Sequence, residues 1–355
     1  MLPHLFPHTE NLDDNILIHS EELQTLSEWD WAMIKSYQNQ IKDGALRIRN
    51  NQDLKNMEFI RFLNITELQL YDCKNIIPKL QSRTIKKLSV QECEICSLKD
   101  FRLENLEDLY ITNFSKLGEQ KKQYSTLLQE IHHFQQLKCV IAYCISLKDL
   151  SQLSQMTGLV VLYLEDCDLR STEALRSLIN LTELYLQNNR GVDITSLQFL
   201  TNLKILQMRQ CYMVSIDALR PLTKLESLDI AENSIVYVQP LIQMKQLDYF
   251  NVRYNKILDS NVMEQHQNYQ SFELTDQQQP TQLELSAANI LRSINSPIVS
   301  LKSMQKQARS VKSQNNTFRL KVSENLQKLF NNFSQFVARA GSLLQQMNQA
   351  VNEWQ

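Results

Sequence analysis

The stretch LVVLYLEDCDL, residues 159–169, sets an apolar residue at its start and repeats it three and five places later. Leu159, Leu162 and Leu164 recur as Leu181, Leu184 and Leu186, then as Leu203, Leu206 and Met208. Leu225, Leu228 and Ile230 follow, and then Leu247, Phe250 and Val252, always 22 residues on. A second apolar set keeps the same period, as in Leu169, Leu175, Leu178 and Ile235, Leu241, Met244. Working backward, Leu137, Val140 and Ala142 hold the spacing less cleanly. Starts at Leu106, Ile85, Ile65 and Asp43 give intervals of 31, 21, 20 and 22 residues, so an insertion falls within 115–127 of a ten-coil array. Self-similarity at this period marks a stacked repeat architecture.

Apolar residues that alternate with polar ones read as a strand with one face inward. No coil can bury its apolar set alone; its neighbours do that. Ten parallel strands at about 4.8 Å spacing predict a sheet roughly 45 Å long. On the other side, segments such as STEALRSL and SIDALRPL are too short for long helices. Pro221 and Pro240, at matched places in their coils, favour 3-10 turns or extended chain there.

The pattern LxxLxLxx(N/C)xL resembles the short, 22-residue leucine-rich repeats of bacterial internalins and of regulatory subunits of type 1 protein phosphatases. Its Asn- and Gln-rich character is similar to intracellular repeat proteins of protists. The resemblance covers about residues 43–258. It implies an α/β fold: a right-handed solenoid with a parallel sheet on the concave side and 3-10, short helical or extended segments on the convex side. Within the family the ninth position of the motif points inward where the chain leaves the strand. Here it holds Asn51, Cys73, Cys93, Phe114, Ile145, Cys167, Asn189, Cys211, Asn233 and Asn255. The cysteines at this position are thus expected to be architectural, as small hydrophobes with a weak donor. Cys93-Glu-Ile-Cys96 is formally a C-x-x-C, but no second pair or matched histidines follow, so no metal is expected. His4 and His8 flank prolines and read as tail residues.

The chain carries a net charge of −2, with 43% apolar and 21% charged residues. That balance is ordinary for a soluble protein and does not suit nucleic-acid binding. Residues 297–355 hold eight Lys/Arg against two Asp/Glu, a balance of +6, leaving −8 on 1–296. No signal-peptide pattern opens the chain, no apolar run is long enough for a membrane span, and seven cysteines form no framework. The expected setting is intracellular, cytoplasmic or nuclear. Sequons at Asn64, Asn113 and Asn180 then read as accidental. Five glycines offer no phosphate-cradling loop, and no H-E-x-x-H or G-x-S-x-G occurs. Neither catalysis nor a cofactor is expected.

Positions facing the concave side assemble a candidate partner-binding surface. Tyr110, Ile141, Tyr163 and Tyr185 fall on consecutive strands, with Tyr143 beside them. Glu165, Asp166, Glu183, Asp229 and Glu232 flank this column, and Gln207, Arg209, Tyr249 and Arg253 continue it. Tyrosine and arginine are typical of interface hot spots.

At the ends, Ser27–Asp30 resembles a capping box and Gly44 a helix stop, predicting a helical cap over 27–44 after a tail at 1–26. The solenoid follows at 45–258, a C-terminal cap with strand Phe272–Leu274 at 259–282, and a long α-helical, coiled-coil-like tail at 283–355. Its seam runs through Leu301, Met304, Ala308, Val311, Phe318, Val322, Leu326, Leu329, Phe333 and Phe336, which suits homo-oligomerisation or pairing with a partner helix. The sequence thus describes a non-catalytic protein–protein scaffold or adaptor. A regulatory subunit of an enzyme such as a phosphatase is the second reading, and an enzyme with an unrecognised site the third.

Overall fold

The computed structural model describes residues 35–289, apart from single positions and short stretches, the longest being 50–56 and 113–126. Two compact units divide the chain between Gln279 and Pro280. Among the described residues the first holds thirteen strands: β1 (Ala45–Arg49), β2 (Glu67–Tyr71), β3 (Leu80–Ser82), β4 (Lys87–Gln91), β5 (Phe101–Leu103), β6 (Asp108–Thr112) and β7 (Cys139–Tyr143). β8 (Val161–Glu165), β9 (Glu183–Tyr185), β10 (Ile205–Gln207), β11 (Ser227–Asp229), β12 (Tyr249–Asn251) and β13 (Phe272–Glu273) complete them.

Eleven strands form one parallel sheet in the order β1-β2-β4-β6-β7-β8-β9-β10-β11-β12-β13. The register joins Arg47, Gln69, Ser89, Tyr110, Ile141, Tyr163, Tyr185, Gln207, Asp229, Asn251 and Glu273 in one row. This is the row that the 22-residue phasing predicts, and the 31-residue interval between β6 and β7 leaves it intact. The sequence alone ends the repeat after Asn255. The structure carries it one coil further, because Phe272 keeps the 22-residue step from Phe250 and pairs with it.

Opposite the sheet, short 3-10 turns bury Leu153, Leu175, Leu197, Leu219, Leu241 and Met263, again 22 residues apart. Together they make a leucine-rich-repeat solenoid. Its core is one continuous column of stacked Leu, Ile, Val, Phe and Met side chains. The prolines are not equivalent: Pro240 lies inside a turn, whereas Pro221 follows one ending at Leu219. In the coils of 20 and 21 residues, β3 and β5 replace the turn and pair with each other. Fewer residues must close the same circuit, so the backbone there takes the extended rise of about 3.3 Å per residue instead of the 3-10 rise of about 2.0 Å.

Past the ends of nine strands of the sheet the chain turns through a residue in the left-handed region. Asp72, Glu92, Cys144, Asp166, Asn188, Gln210, Glu232, Tyr254 and Asp276 occupy the same place in their coils, with φ between 46° and 61°. Seven of their amides, from Asp72 to Glu232, donate to the next coil, as from Asp166 to the Gln187 carbonyl at 3.0 Å, which holds the conformation in place. Left-handed backbone costs an ordinary residue about 1–2 kcal/mol, more than glycine's extra entropy of about 0.5–1. Glu92→Gly should therefore raise stability by about 0.5–1 kcal/mol in urea unfolding, and Glu92→Val should lower it.

Beyond this turn comes the inward position shared by asparagine and cysteine. Asn189 donates to the carbonyls of Leu164, Leu186 and Gln187, while its Oδ1 accepts the amides of Cys167 and Leu169, both at 3.1 Å. Asn233, Asn255 and Gln277 repeat the arrangement. Cys167, fully buried, turns its thiol toward the carbonyls of Ala142 and Glu165 at 3.4 and 3.3 Å. A thiol supplies no strong acceptor, so the backbone compensates. The Leu147 amide donates to the Cys167 carbonyl, and the Gly191 amide to the Cys211 carbonyl, both at 2.9 Å. Burial pushes the Cys211 thiol up to about 11, which marks an inert thiol.

Of the predicted N-terminal cap, Lys35, Ser36, Gln38 and Asn39 are helical and Ile41 packs on the core; residues 1–34 lie outside the described residues. Gly44 has φ +75°. In the second unit, Thr281 and Glu284 form a reciprocal capping box, each side chain accepting the other's amide at 3.3 and 2.8 Å. The predicted tail from 290 onward, with the whole seam Leu301–Phe336, lies outside the described residues, as do Asn51, Cys96 and Phe114. Among the described residues, no helix is long and apolar enough to cross a membrane.

Candidate protein-binding face

The face of the sheet opposite the core carries the predicted positions that lie within strands, with unequal exposure, while Asp166, Arg209 and Arg253 follow the ends of β8, β10 and β12. Ile141 is fully buried, Tyr185 is 1% exposed and Tyr163 8%. With Cys139 they form a second apolar cluster, against which Tyr110, Tyr143, Val161 and Ile205 pack. The Tyr163 and Tyr185 rings lie 5.2 Å apart at a 32° tilt, a favourable offset stack. The tyrosine column is therefore a packed layer in its own right and not a row of projecting anchors. Strand stacking explains this: side chains in register at about 4.8 Å spacing cover one another.

The phenols point into hydrogen bonds within their own strands. Tyr163 donates to Glu165, and Tyr185 to Glu183 at 2.8 Å. Asn188 adds a bond to Glu165 at 3.1 Å. Burial, reinforced by these carboxylates, pushes both phenols well above the ordinary tyrosine range. Tyr143 is held up at about 12, chiefly by burial. Asp166 accepts a bond from the Cys144 thiol at 3.2 Å and sits at the left-handed exit.

Toward the C-terminal end the face opens. Tyr249 is 38% exposed and Tyr254 45%. Arg209 pairs with Glu232 at 2.5 Å, and Arg253 with Asp276 at 2.8 Å. Gln207 receives a bond from Gln187 at 2.9 Å. Asp229, nearly buried, accepts the Ala231 amide at 3.1 Å and lies 3.9 Å from Arg209.

The sequence reading misses Cys139 in the cluster and Asn188 and Asp276 as partners at the exit, whereas Glu232 is among the acids it places beside the column. The Asp- and Asn-rich exit position was the available signal, since those residues tolerate left-handed backbone best.

Burial raises the Asp229 carboxyl above its ordinary value of 3.8, against the lowering pull of the Ala231 amide and Arg209. A raised carboxyl favours folding when protonated, and that contribution is lost as pH climbs through the folded value. Asp229→Asn should therefore be at least as stable as wild type at pH 7. The difference should shrink below about pH 4 in unfolding measured across pH.

Charge is unevenly placed on this face and its exit edge. The described cations are Arg47, Arg49, Lys87, Arg209 and Arg253. The carboxylates are Glu67, Asp72, Glu92, Asp108, Glu165, Asp166, Glu183, Asp229, Glu232, Glu273 and Asp276. At the described positions of the face, no cation stands between Lys87 and Arg209. Among the described residues no group of three or more His, Cys, Asp or Glu is placed to hold a metal ion.

No family model matches the chain, and no curated protein matches its sequence. Solved structures with a similar course include internalin C2 of Listeria monocytogenes, 22% identical, covering 51% of this chain and 76% of its own, with a TM-score of 0.45. Internalin F of the same organism is 16% identical over 69% of this chain and 87% of its own, with a TM-score of 0.46. The solenoid itself is established by the strand register described above.

Proposed function

We propose that the protein is a non-catalytic interaction scaffold that holds a protein partner on the open face of its solenoid. The observation that carries this reading is the face itself: an eleven-strand surface whose side chains are fixed in register. The packed tyrosine layer forms its floor, and Tyr249, Arg209 and Arg253 stand at its more open end. Pre-ordered aromatic and arginine side chains lose little entropy on binding.

The test is affinity purification from native cells with mass spectrometry, comparing wild type with Glu165→Lys/Tyr249→Ala/Arg253→Glu. A back-surface control, Ile179→Lys, alters a side chain 54% exposed on the turn side. The reading expects a partner retained by wild type and the control and lost by the face variant, with circular dichroism unchanged. A partner retained equally by all three overturns it.

A further inference from the structure

We infer that the occupant of the open face is a cationic segment of the partner protein, seated over the stretch from β6 to β9, where the described face positions carry no cation. This deepens the scaffold reading and rests on it. The argument is charge complementarity. The face and exit edge hold more than twice as many described carboxylates as cations, and the imbalance is concentrated where the tyrosine layer lies. At the ends of the sheet the protein supplies its own counter-charges: Arg47 pairs with Asp43 at 2.7 Å, Arg209 with Glu232, and Arg253 with Asp276. Between them, among the described residues, Glu165 and Glu183 have no cation in an ion pair.

Glu165 and Glu183 are held instead by neutral donors, the phenols and the Asn188 amide. Neutral donors fix a carboxylate without cancelling its charge. Asp108 and Asp229, on the strands that flank this stretch, keep cations of their own at 3.6 and 3.9 Å, and burial raises both carboxyls. A lysine or arginine brought by a partner would supply what Glu165 and Glu183 lack, and its aliphatic stem would lie on the aromatic floor.

The strand spacing also sets a rule for the partner. Asp108 and Glu183 are three strands apart in the sheet order and Glu183 and Asp229 two, or about 14 and 10 Å. Side chains seven residues apart on a helix are separated by about 10 Å. Two basic residues at that interval match the face.

The test uses the full chain and a labelled 16-residue helical peptide carrying lysines seven residues apart, with a twin in which glutamates replace them. Fluorescence anisotropy at low salt should show binding of the lysine peptide and none of its twin. Glu165→Gln/Glu183→Gln keeps both phenol bonds and should weaken binding at least tenfold. Glu104→Gln/Glu264→Gln, exposed carboxylates off this face, should leave it unchanged. Absence of lysine-peptide binding at millimolar concentration, equal binding of the twin, or equal weakening by the control pair overturns the inference. A partner captured through the face that presents an acidic surface there would also overturn it, while leaving the scaffold reading intact.

Discussion

Asn189→Ala should lower the unfolding free energy by about 3–5 kcal/mol, measured by urea denaturation followed by circular dichroism. The side chain is fully buried and makes five hydrogen bonds to backbone groups of two coils. Alanine removes them all while the strands still hold those groups away from water. Each buried group left without a partner costs about 1–3 kcal/mol, and some will be recovered by small shifts or entering water. Cys167→Ala should cost clearly less, about 1–2 kcal/mol. It loses only two weak thiol bonds and a small volume, and the Leu147 amide keeps its bond to the backbone carbonyl of residue 167. If the two substitutions prove equally costly, the asparagine bonds are not what holds the coils together.

The second large effect concerns the tyrosine layer. Tyr185→Ala should cost about 3–4 kcal/mol, because a ring only 1% exposed leaves a hole among Ile141, Tyr163 and Cys139. Tyr185→Phe retains the ring and surrenders one bond to Glu183, a loss of about 1 kcal/mol. The two variants separate packing from recognition. A thermal-unfolding pair in which Ala and Phe behave alike would mean that the ring contributes nothing to the sheet. Binding experiments on this column are therefore better made with phenylalanine than with alanine, whose effect would be mixed with unfolding.

The solenoid was legible because its determinants are local and periodic. Leu159, Leu162 and Leu164 state the strand, and the 22-residue recurrence states the stack. Even the 20- and 21-residue intervals carried meaning, since they mark the coils whose back becomes extended. The eleventh coil was harder to read. Gln277 stands where an asparagine is expected, yet its longer amide reaches the carbonyls of Val252, Leu274 and Thr275. The face was only half legible. Sequence phasing places Tyr163 and Tyr185 on it correctly, but burial on an open face depends on what the neighbouring strands stack alongside. That is a property of the row and not of any coil. The Thr281–Glu284 box was readable as T-x-x-E and passed unnoticed among polar residues.

The unbroken row across the 31-residue interval has a last consequence. Tyr110 and Ile141 face each other as adjacent strands do anywhere in the sheet, although the chain between them is nine residues longer than one period. Cohesion between β6 and β7 includes the same contact between neighbouring rungs as elsewhere in the sheet. A cut through 113–126 would leave two half-ladders, each presenting a complete strand edge and an open end of core to the other. The solenoid can thus be divided at this point as a pair of mating parts, a natural place to build a split version whose reunion is driven by surface alone.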